Sequence, residues 1–374
     1  MFLQDAASAP SVVVFTGGGT IGHVSPGIAV LQALGRSWGD RPLRVVWIGS
    51  EKGIERPVVE ALGIEYRAIS TGKLRRYFSW QNFTDLVKIA RGYFQSRKLL
   101  KDLKPAFVFS KGGFVSVPPV RAARALGIPV YSHESDLDPG LATRLNLSSS
   151  RKVFCAYAES VAHFPPAFRD RVVVAGNPVR SELFSGDPGW VRRTWNIPEG
   201  AKVLLVLGGS QGARQVNELV AASLDRLQGR VFVIHQTGQD WQPLADGPWY
   251  ASRPFFRTEM PDLYAGADLI FGRAGAGTLW ESAAAGKPLV LLPLGAGSRG
   301  DQVRNAELFE ARGAARVLGA DPKPGDLVQA LEAFLGSDEA YRQAQRALST
   351  FDAAAAALNV ARVIGADLGG STGV

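Results

Sequence analysis

The sequence predicts an α/β protein made of two doubly wound units, and three observations carry that prediction. Short β-prone runs alternate with helical stretches from end to end. Most of the runs are nearly continuous in apolar residues, as parallel strands are when crossover helices cover both faces of their sheet. A strand–glycine turn–helix opening also occurs twice, at residues 12–26 and again from residue 203, so the pattern restarts.

In chain order, the first unit shows strand-like runs at residues 12–15, 44–48, 106–109, 129–132 and 171–175, with a helix expected to begin near Pro26. Gly176-Asn177-Pro178 interrupts the alternation, placing one domain at 1–175 and the next at 176–349. The second unit has runs at 203–207, 230–235, 269–271 and 288–292. Alanine-rich residues 351–363 read as a last helix, about 350–366, crossing back onto the first domain. A loose glycine-rich tail follows Leu368.

Composition narrows the class. Of 374 residues, 46% are hydrophobic and 20% charged, which fits a chain that buries real cores. The net charge of +8 points to anionic partners: nucleic acid, an acidic membrane or phosphorylated substrates. A single cysteine, Cys155, excludes an intrachain disulfide framework and fits a reducing compartment. The N-terminus has neither a basic start nor an apolar stretch of signal length, and no segment reaches the ~18 apolar residues of a membrane span. A cytosolic protein, free to sit on a membrane, is expected.

The chemistry-bearing segments follow the strands. Gly17-Gly18-Gly19-Thr20-Ile21-Gly22 formally satisfies G-x-G-x-x-G, yet the second strand ends in Gly49-Ser50 with Glu51 beyond it and Asp40 before it. The carboxylate that would hold a dinucleotide's ribose is missing. What remains is either a backbone cradle for phosphate at a helix N-terminus or a tight turn that starts a helix. Gly208-Gly209-Ser210-Gln211-Gly212, with Arg214, repeats the cradle, and Lys111-Gly112-Gly113-Phe114-Val115-Ser116 is a third glycine site. After the small-residue loop at 272–277, Glu281 is placed to accept both ribose hydroxyls of a nucleotide; alternatively Thr278-x-x-Glu281 is a capping box. His133-Glu134-Ser135-Asp136-Leu137-Asp138 contains a D-x-D, which reads either as a metal motif or as a capping run before a helix at Pro139. Four scattered histidines and one cysteine, with no H-E-x-x-H or C-x-x-C, speak against a tightly bound transition metal. A Walker loop is absent from the sequence.

Together and in this order, residues 16–26, 110–118, 133–144, 176–180, 207–217, 273–281 and 298–305 resemble the MurG family of N-acetylglucosamine transferases. The forms Ser-Lys-Gly-Gly-Phe-Val-Ser-Val-Pro, His-Glu-Ser-Asp and Ser-Arg-Gly-Asp-Gln resemble a branch found in some Gram-positive bacteria. The resemblance implies a GT-B fold of two facing Rossmann-like domains, with acceptor and membrane on the first and UDP-sugar donor on the second. It implies inverting transfer of N-acetylglucosamine from UDP-GlcNAc to lipid I, giving lipid II for peptidoglycan, at the cytoplasmic face of the cell membrane. Donor contacts fall on Arg180, Ser210, Gln211, Arg257, Ala276, Gly277, Thr278, Leu279, Glu281 and Gln302, with Thr20, Ile21 and Gly22 reaching from the first domain. Gly18, Gly19, Lys111, Gly112, Gly113 and Ser116 fall on the acceptor side, and Asp136 faces the cleft. Ile21 stands where a glycine is usual, Ser135-Asp136 where Gln-Asn is common, and Trp280 where a serine precedes the motif glutamate. Implied partners are UDP-GlcNAc, lipid I, an anionic membrane and cell-wall synthesis proteins, not nucleic acid; no cofactor is tightly bound and no divalent ion is required. Rival readings are a diacylglycerol-type lipid glycosyltransferase, a sugar-nucleotide epimerase, a dinucleotide oxidoreductase and a noncatalytic UDP-sugar sensor.

His23 is the first choice for the base: it follows the glycine turn at a strand's carboxyl end, and a helix N-terminus favours its neutral form. The competing reading has it shape the loop or bind acceptor phosphate, with Glu134 and Asp136 as alternative bases. A hinge at 176–178 is expected to close the domains on the donor. Residues 70–104 hold nine Lys or Arg against Asp85 and Asp102, nearly the whole net charge. Within them Phe83, Leu86, Val87, Ala90, Tyr93, Phe94 and Leu100 recur at helical spacing and are expected on the core. Leu74, Tyr77, Phe78 and Trp80, among Arg75 and Arg76, are expected to meet an acidic lipid surface, against the alternative of a solvated helix face.

Overall fold

The nine apolar runs form strands, and four further strands join them in a computed structural model that describes residues 10–19, 21–38, 42–72, 81–209, 212–242, 244–295 and 300–368. The chain divides into two units, residues 1–178 with 357–374, and residues 179–356.

In the first unit the strands are β1 Ser11–Thr16, β2 Leu43–Ser50, β3 Glu65–Ile69, β4 Val108–Ser110, β5 Val130–Glu134, β6 Lys152–Cys155 and β7 Val172–Val174. Their order is β3-β2-β1-β4-β5-β6-β7, with every described pairing parallel. The second unit holds β8 Lys202–Leu207, β9 Val231–Gln236, β10 Tyr250–Arg253, β11 Leu269–Gly272, β12 Leu289–Leu291 and β13 Ala315–Val317, ordered β10-β9-β8-β11-β12-β13 and again parallel. Both sheets are doubly wound, so each is a Rossmann-like unit. Strand alternation divides the first core: Val13 and Phe15 join Trp47, Phe109 and Tyr131 on one face, while Val14 joins Val46, Ile48 and Val108 on the other.

Two helices differ from expectation. The last begins at Ala356 rather than near 351, because Phe351 is already committed elsewhere, stacked on Phe309 at 4.2 Å and edge-on to Trp280 in the second unit. Val360, Ala361 and Ile364 of this helix enter the first unit's core, and Tyr131 and Arg151 both hold Asp367.

The second difference concerns the basic helix Gln81–Leu103. Its inward face is Asp85, Gly92, Ser96 and Leu100, with Tyr93 half-buried, whereas Leu86, Val87 and Phe94 are 53%, 69% and 67% exposed, and Ala90 is exposed too. The cause is close approach. A Cβ on Gly92 would lie 2.1 Å from the Ser70 carbonyl oxygen, and Ser96 folds its hydroxyl onto the Gly92 carbonyl at 2.7 Å. Small residues make the contact at Gly92 and Ser96, while of the expected apolar stripe Leu100 and Tyr93 do pack on the core. The side chain of Phe83 and all of residues 73–80, including Leu74, Arg75, Arg76, Tyr77, Phe78 and Trp80, lie outside the described residues. Among the described residues no helix is long and apolar enough to cross a membrane.

Candidate functional site

In a doubly wound sheet ligands bind beyond the strand carboxyl ends where the strand order reverses. In the first unit that point lies between β1 and β4, whose ends pair as Thr16 with Ser110. The turns at Gly17-Gly18-Gly19 and Gly112-Gly113 therefore emerge side by side. Gly113, at φ +73°, could carry no side chain, because its Cβ would lie 2.5 Å from the Gly18 carbonyl oxygen.

Beneath the first turn lies a residue that sequence reasoning missed. Glu55, fully buried, accepts hydrogen bonds from Ser50 N (2.9 Å), Ser50 Oγ (2.7 Å), Gly19 N (3.2 Å) and the Tyr66 hydroxyl (3.2 Å). The carboxylate sought at the end of β2 for a ribose is thus present a few residues later, turned back to hold the glycine turn. Burial pushes its pKa up, but the Ser50 and Gly19 donors outweigh it and keep the carboxyl below its usual range. Because the folded pKa is depressed, the stability Glu55 contributes is present above the unfolded carboxyl's pKa and lost as pH falls through the folded one. Glu55→Ala should lower the melting temperature, each orphaned buried donor costing about 1–3 kcal/mol, and flatten the acid limb of the melting profile. A variant that melts as wild type at pH 7 would contradict this role.

His23 ends the short 3₁₀ turn Ile21–His23, with its Cδ2 3.9 Å from where a Cβ on Gly112 would stand. Burial first, then the Lys111 charge, lower its pKa to about 4, with Glu55 opposing; the imidazole is neutral at neutral pH. Lys111 is buried, and its ammonium donates to Ser135 Oγ at 2.7 Å, which donates in turn to Asn177 Oδ1 at 2.5 Å. Burial lowers Lys111 to about 8 against the pull of Glu134 and Asp136.

The carboxylate of Glu134 accepts from Ser135 N, Asp136 N, Gly140 N and Thr143 Oγ1, all within 3.2 Å. The capping run expected before Pro139 is not seen: the helix is Leu141–Asn146, its N-cap Gly140 has no side-chain cap, and Glu134 serves that end instead. Asp138 pairs with His163, and half-buried Asp136 sits beside Lys111 as a charge. Ser116 is buried, donating to the Gly113 carbonyl and accepting from Asn146 Nδ2. It supports the turn from below.

In the second unit the order reverses between β8 and β11, where Leu207 pairs with Gly272. The Gly208-Gly209 turn and the loop into helix Ala276–Ala285 emerge there together. That helix has Gly275 as N-cap with no side-chain cap, so Thr278 already lies inside it and the Thr278–Glu281 capping box does not form. Half-buried Glu281 instead accepts from the Tyr264 hydroxyl at 3.1 Å. Burial raises its pKa, while the Arg180 charge and the Tyr264 hydroxyl oppose that rise.

Ala276, Gly277 and Thr278 present the helix's first turn, whose backbone N–H groups lack helical partners. Leu279 and Trp280 turn into the core, so Leu279 offers a ligand only its backbone and Trp280 packs edge-on to Phe351. Gln302 Oε1 accepts from Leu294 N at 3.0 Å, tying its helix to the loop after β12. Arg257 is exposed, 5.8 Å over the Phe255 ring, and Gly22 is exposed. Arg214 is exposed and paired with Glu218. Thr20, Ser210, Gln211 and the Ile21 side chain lie outside the described residues.

Both units match models of one family. Residues 13–155 match the glycosyltransferase family 28 N-terminal domain and residues 203–359 its C-terminal domain. The chain belongs to glycosyltransferase family 28. Among family relatives, the UDP-N-acetylglucosamine–N-acetylmuramyl-(pentapeptide) pyrophosphoryl-undecaprenol N-acetylglucosamine transferase of Treponema denticola is 45% identical, covering 92% of this chain and 93% of that protein. The protein of the same name from Shouchella clausii is 42% identical over 82% and 85%. The crystal structure of Acinetobacter baumannii MurG matches at a TM-score of 0.72 with 26% identity over 96% of this chain and 100% of that one. The MurG resemblance read from the motifs is borne out, as is the GT-B fold. A UDP-GlcNAc 2-epimerase from Neisseria meningitidis shares only the fold, at 15% identity and a TM-score of 0.66 over 95% and 99% of the two chains. Membership in family 28 makes the chain a glycosyltransferase, against the epimerase, oxidoreductase and sensor readings.

Proposed function

We propose that this transferase moves N-acetylglucosamine from UDP-GlcNAc to lipid I, forming lipid II for peptidoglycan. Its near-full-length identity to transferases of that name carries the reading. In the second unit Glu281 accepts the ribose hydroxyls, Gln302 meets the sugar hydroxyls, and the first-turn N–H groups at Ala276, Gly277 and Thr278 face the diphosphate with Arg180. Negative charge grows on the β-phosphate as the glycosidic bond breaks, and fixed donors stabilise it most at that moment. In the first unit the paired glycine turns, with Lys111, hold the acceptor diphosphate. Neutral His23 takes the proton from the acceptor hydroxyl as its oxygen attacks the anomeric carbon; one C–O bond forms, another breaks, and UDP leaves with inversion. The reaction needs no divalent ion in this scheme.

The acceptor is tested by offering a short-chain lipid I analogue and a diacylglycerol in the same vesicles. Sugar should pass to the former; transfer to diacylglycerol alone would favour the related lipid glycosyltransferase reading.

A lipid-borne acceptor requires the enzyme to meet the bilayer, and we propose that the outer face of helix Gln81–Leu103 does so at the cytoplasmic side. Exposed Leu86, Val87, Ala90 and Phe94 are accompanied by exposed Lys88, Arg91, Arg97, Lys98 and Lys101. Each cation near an anionic surface contributes about 1 kcal/mol. Replacing Leu86, Val87 and Phe94 together with serine should weaken vesicle pelleting severalfold while leaving UDP binding and melting unchanged, since exposed positions rarely affect stability. Pelleting equal to wild type would return the helix to an ordinary solvated face.

A further inference from the structure

The donor reading leaves open what fixes the Glu281 carboxylate. Glu281 lies beyond the first turn of helix Ala276–Ala285, and a glutamate there has rotamer freedom that a bound ligand would have to remove. Three observations show the freedom already reduced. Tyr264, fully buried on helix Met260–Gly266, aims its hydroxyl at Glu281 Oε2 at 3.1 Å. The ring cannot follow the carboxylate if it moves, because core packing fixes it. The Arg180 charge acts on both groups, and Arg180 Nε is buried with no hydrogen-bond partner, so the arginine has donor capacity left.

From this geometry we infer that Tyr264 is a positioning residue for the donor: its hydroxyl pins one oxygen of Glu281 so that the remaining lone pairs are presented, already oriented, to the ribose diol. The inference rests on the proposed ribose role of Glu281. An ionised carboxylate offers about four acceptor sites and Tyr264 takes one, which leaves enough for two ribose hydroxyls. A hydroxyl buried against a carboxylate also favours the ionised form, the only form that accepts from both ribose hydroxyls at once. A tyrosine that merely filled the core would need a partner for its oxygen, but not this one.

Tyr264→Phe retains the ring and removes only the hydroxyl. It should weaken UDP binding roughly ten- to a hundredfold, the range for one hydrogen bond to a charged group, raise KM for UDP-GlcNAc by a similar factor and leave kcat nearly unchanged. Binding of 2′,3′-dideoxy-UDP, which lacks both hydroxyls, should be the same for variant and wild type. The pH dependence gives a second readout: without the hydroxyl Glu281 protonates more readily, so UDP affinity should begin to fall at higher pH in the variant as pH is lowered. UDP binding equal to wild type overturns the inference, and so does an equal loss for UDP and dideoxy-UDP, which would mark a core role. Glu281→Ala separates the underlying reading: if it still prefers UDP over dideoxy-UDP as wild type does, the ribose assignment itself fails.

Discussion

His23→Ala should lower kcat by roughly a hundred- to ten-thousandfold, the range for removing a general base, and leave UDP binding intact. The pH profile makes the expectation specific. The base must be neutral, so activity is lost as pH falls through its pKa. In the free enzyme that value is about 4, set by burial and by Lys111, so the acid limb of kcat/KM should lie well below the ~6.5 of an ordinary histidine. A group held that low is a weak base. An anionic acceptor against Lys111 would offset the charge that depresses it, so the limb in kcat, which reports the substrate complex, should lie at higher pH than the limb in kcat/KM. Glu134 is a poorer candidate on geometry, since four donors already occupy its carboxylate. Near-normal turnover of His23→Ala at saturating substrates would place the base elsewhere.

Glu281→Ala should weaken UDP-GlcNAc binding about a hundredfold or more. Two hydrogen bonds to a charged acceptor are lost, each worth about 1.5–3 kcal/mol. The competing expectation, a capping loss of about 0.5–2 kcal/mol in stability with affinity preserved, has no structural footing because Gly275 is the N-cap and Glu281 lies well inside the helix. Calorimetric titration beside thermal melting distinguishes the outcomes. Donor affinity equal to wild type, with a lowered melting temperature, would remove the ribose role.

The strands that the sequence revealed are continuous apolar runs, most clearly β1, β8 and β9, whose residues are largely buried. Those it hid are β3, β6, β10 and β13. Glu-Tyr-Arg-Ala-Ile in β3 carries charge because it is a sheet edge; β6, β10 and β13 each carry a cation within only three or four residues, whereas β4, β7, β11 and β12, no longer, carry none. The basic helix failed for a related reason. Apolar spacing marks an amphipathic stripe but not what covers it, and the inward face here is set by Gly92 and Ser96, which a count of hydrophobic residues passes over.

At the site, the glycine turns were legible because backbone conformation constrains their residue type, and Glu281 because the proposed ribose role calls for a carboxylate. Glu55 was not, because its function depends on a return contact with Gly19 across 36 positions that no local pattern encodes. A ribose carboxylate was sought only as far as Glu51, four residues before Glu55. Tyr264 was equally hidden: an aromatic in a short helix looks like core until its hydroxyl is seen on the carboxylate.

Transfer to lipid I is read from one incubation: the purified chain with labelled UDP-GlcNAc and a short-chain lipid I analogue, in excess chelator, with products resolved and the new linkage assigned by NMR. UDP and a β-linked N-acetylglucosaminyl product should form in equal amounts, at a rate the chelator does not change. Label recovered as free or epimerised sugar, an α-linkage, or turnover abolished by the chelator and restored by a divalent ion would contradict the proposed transfer.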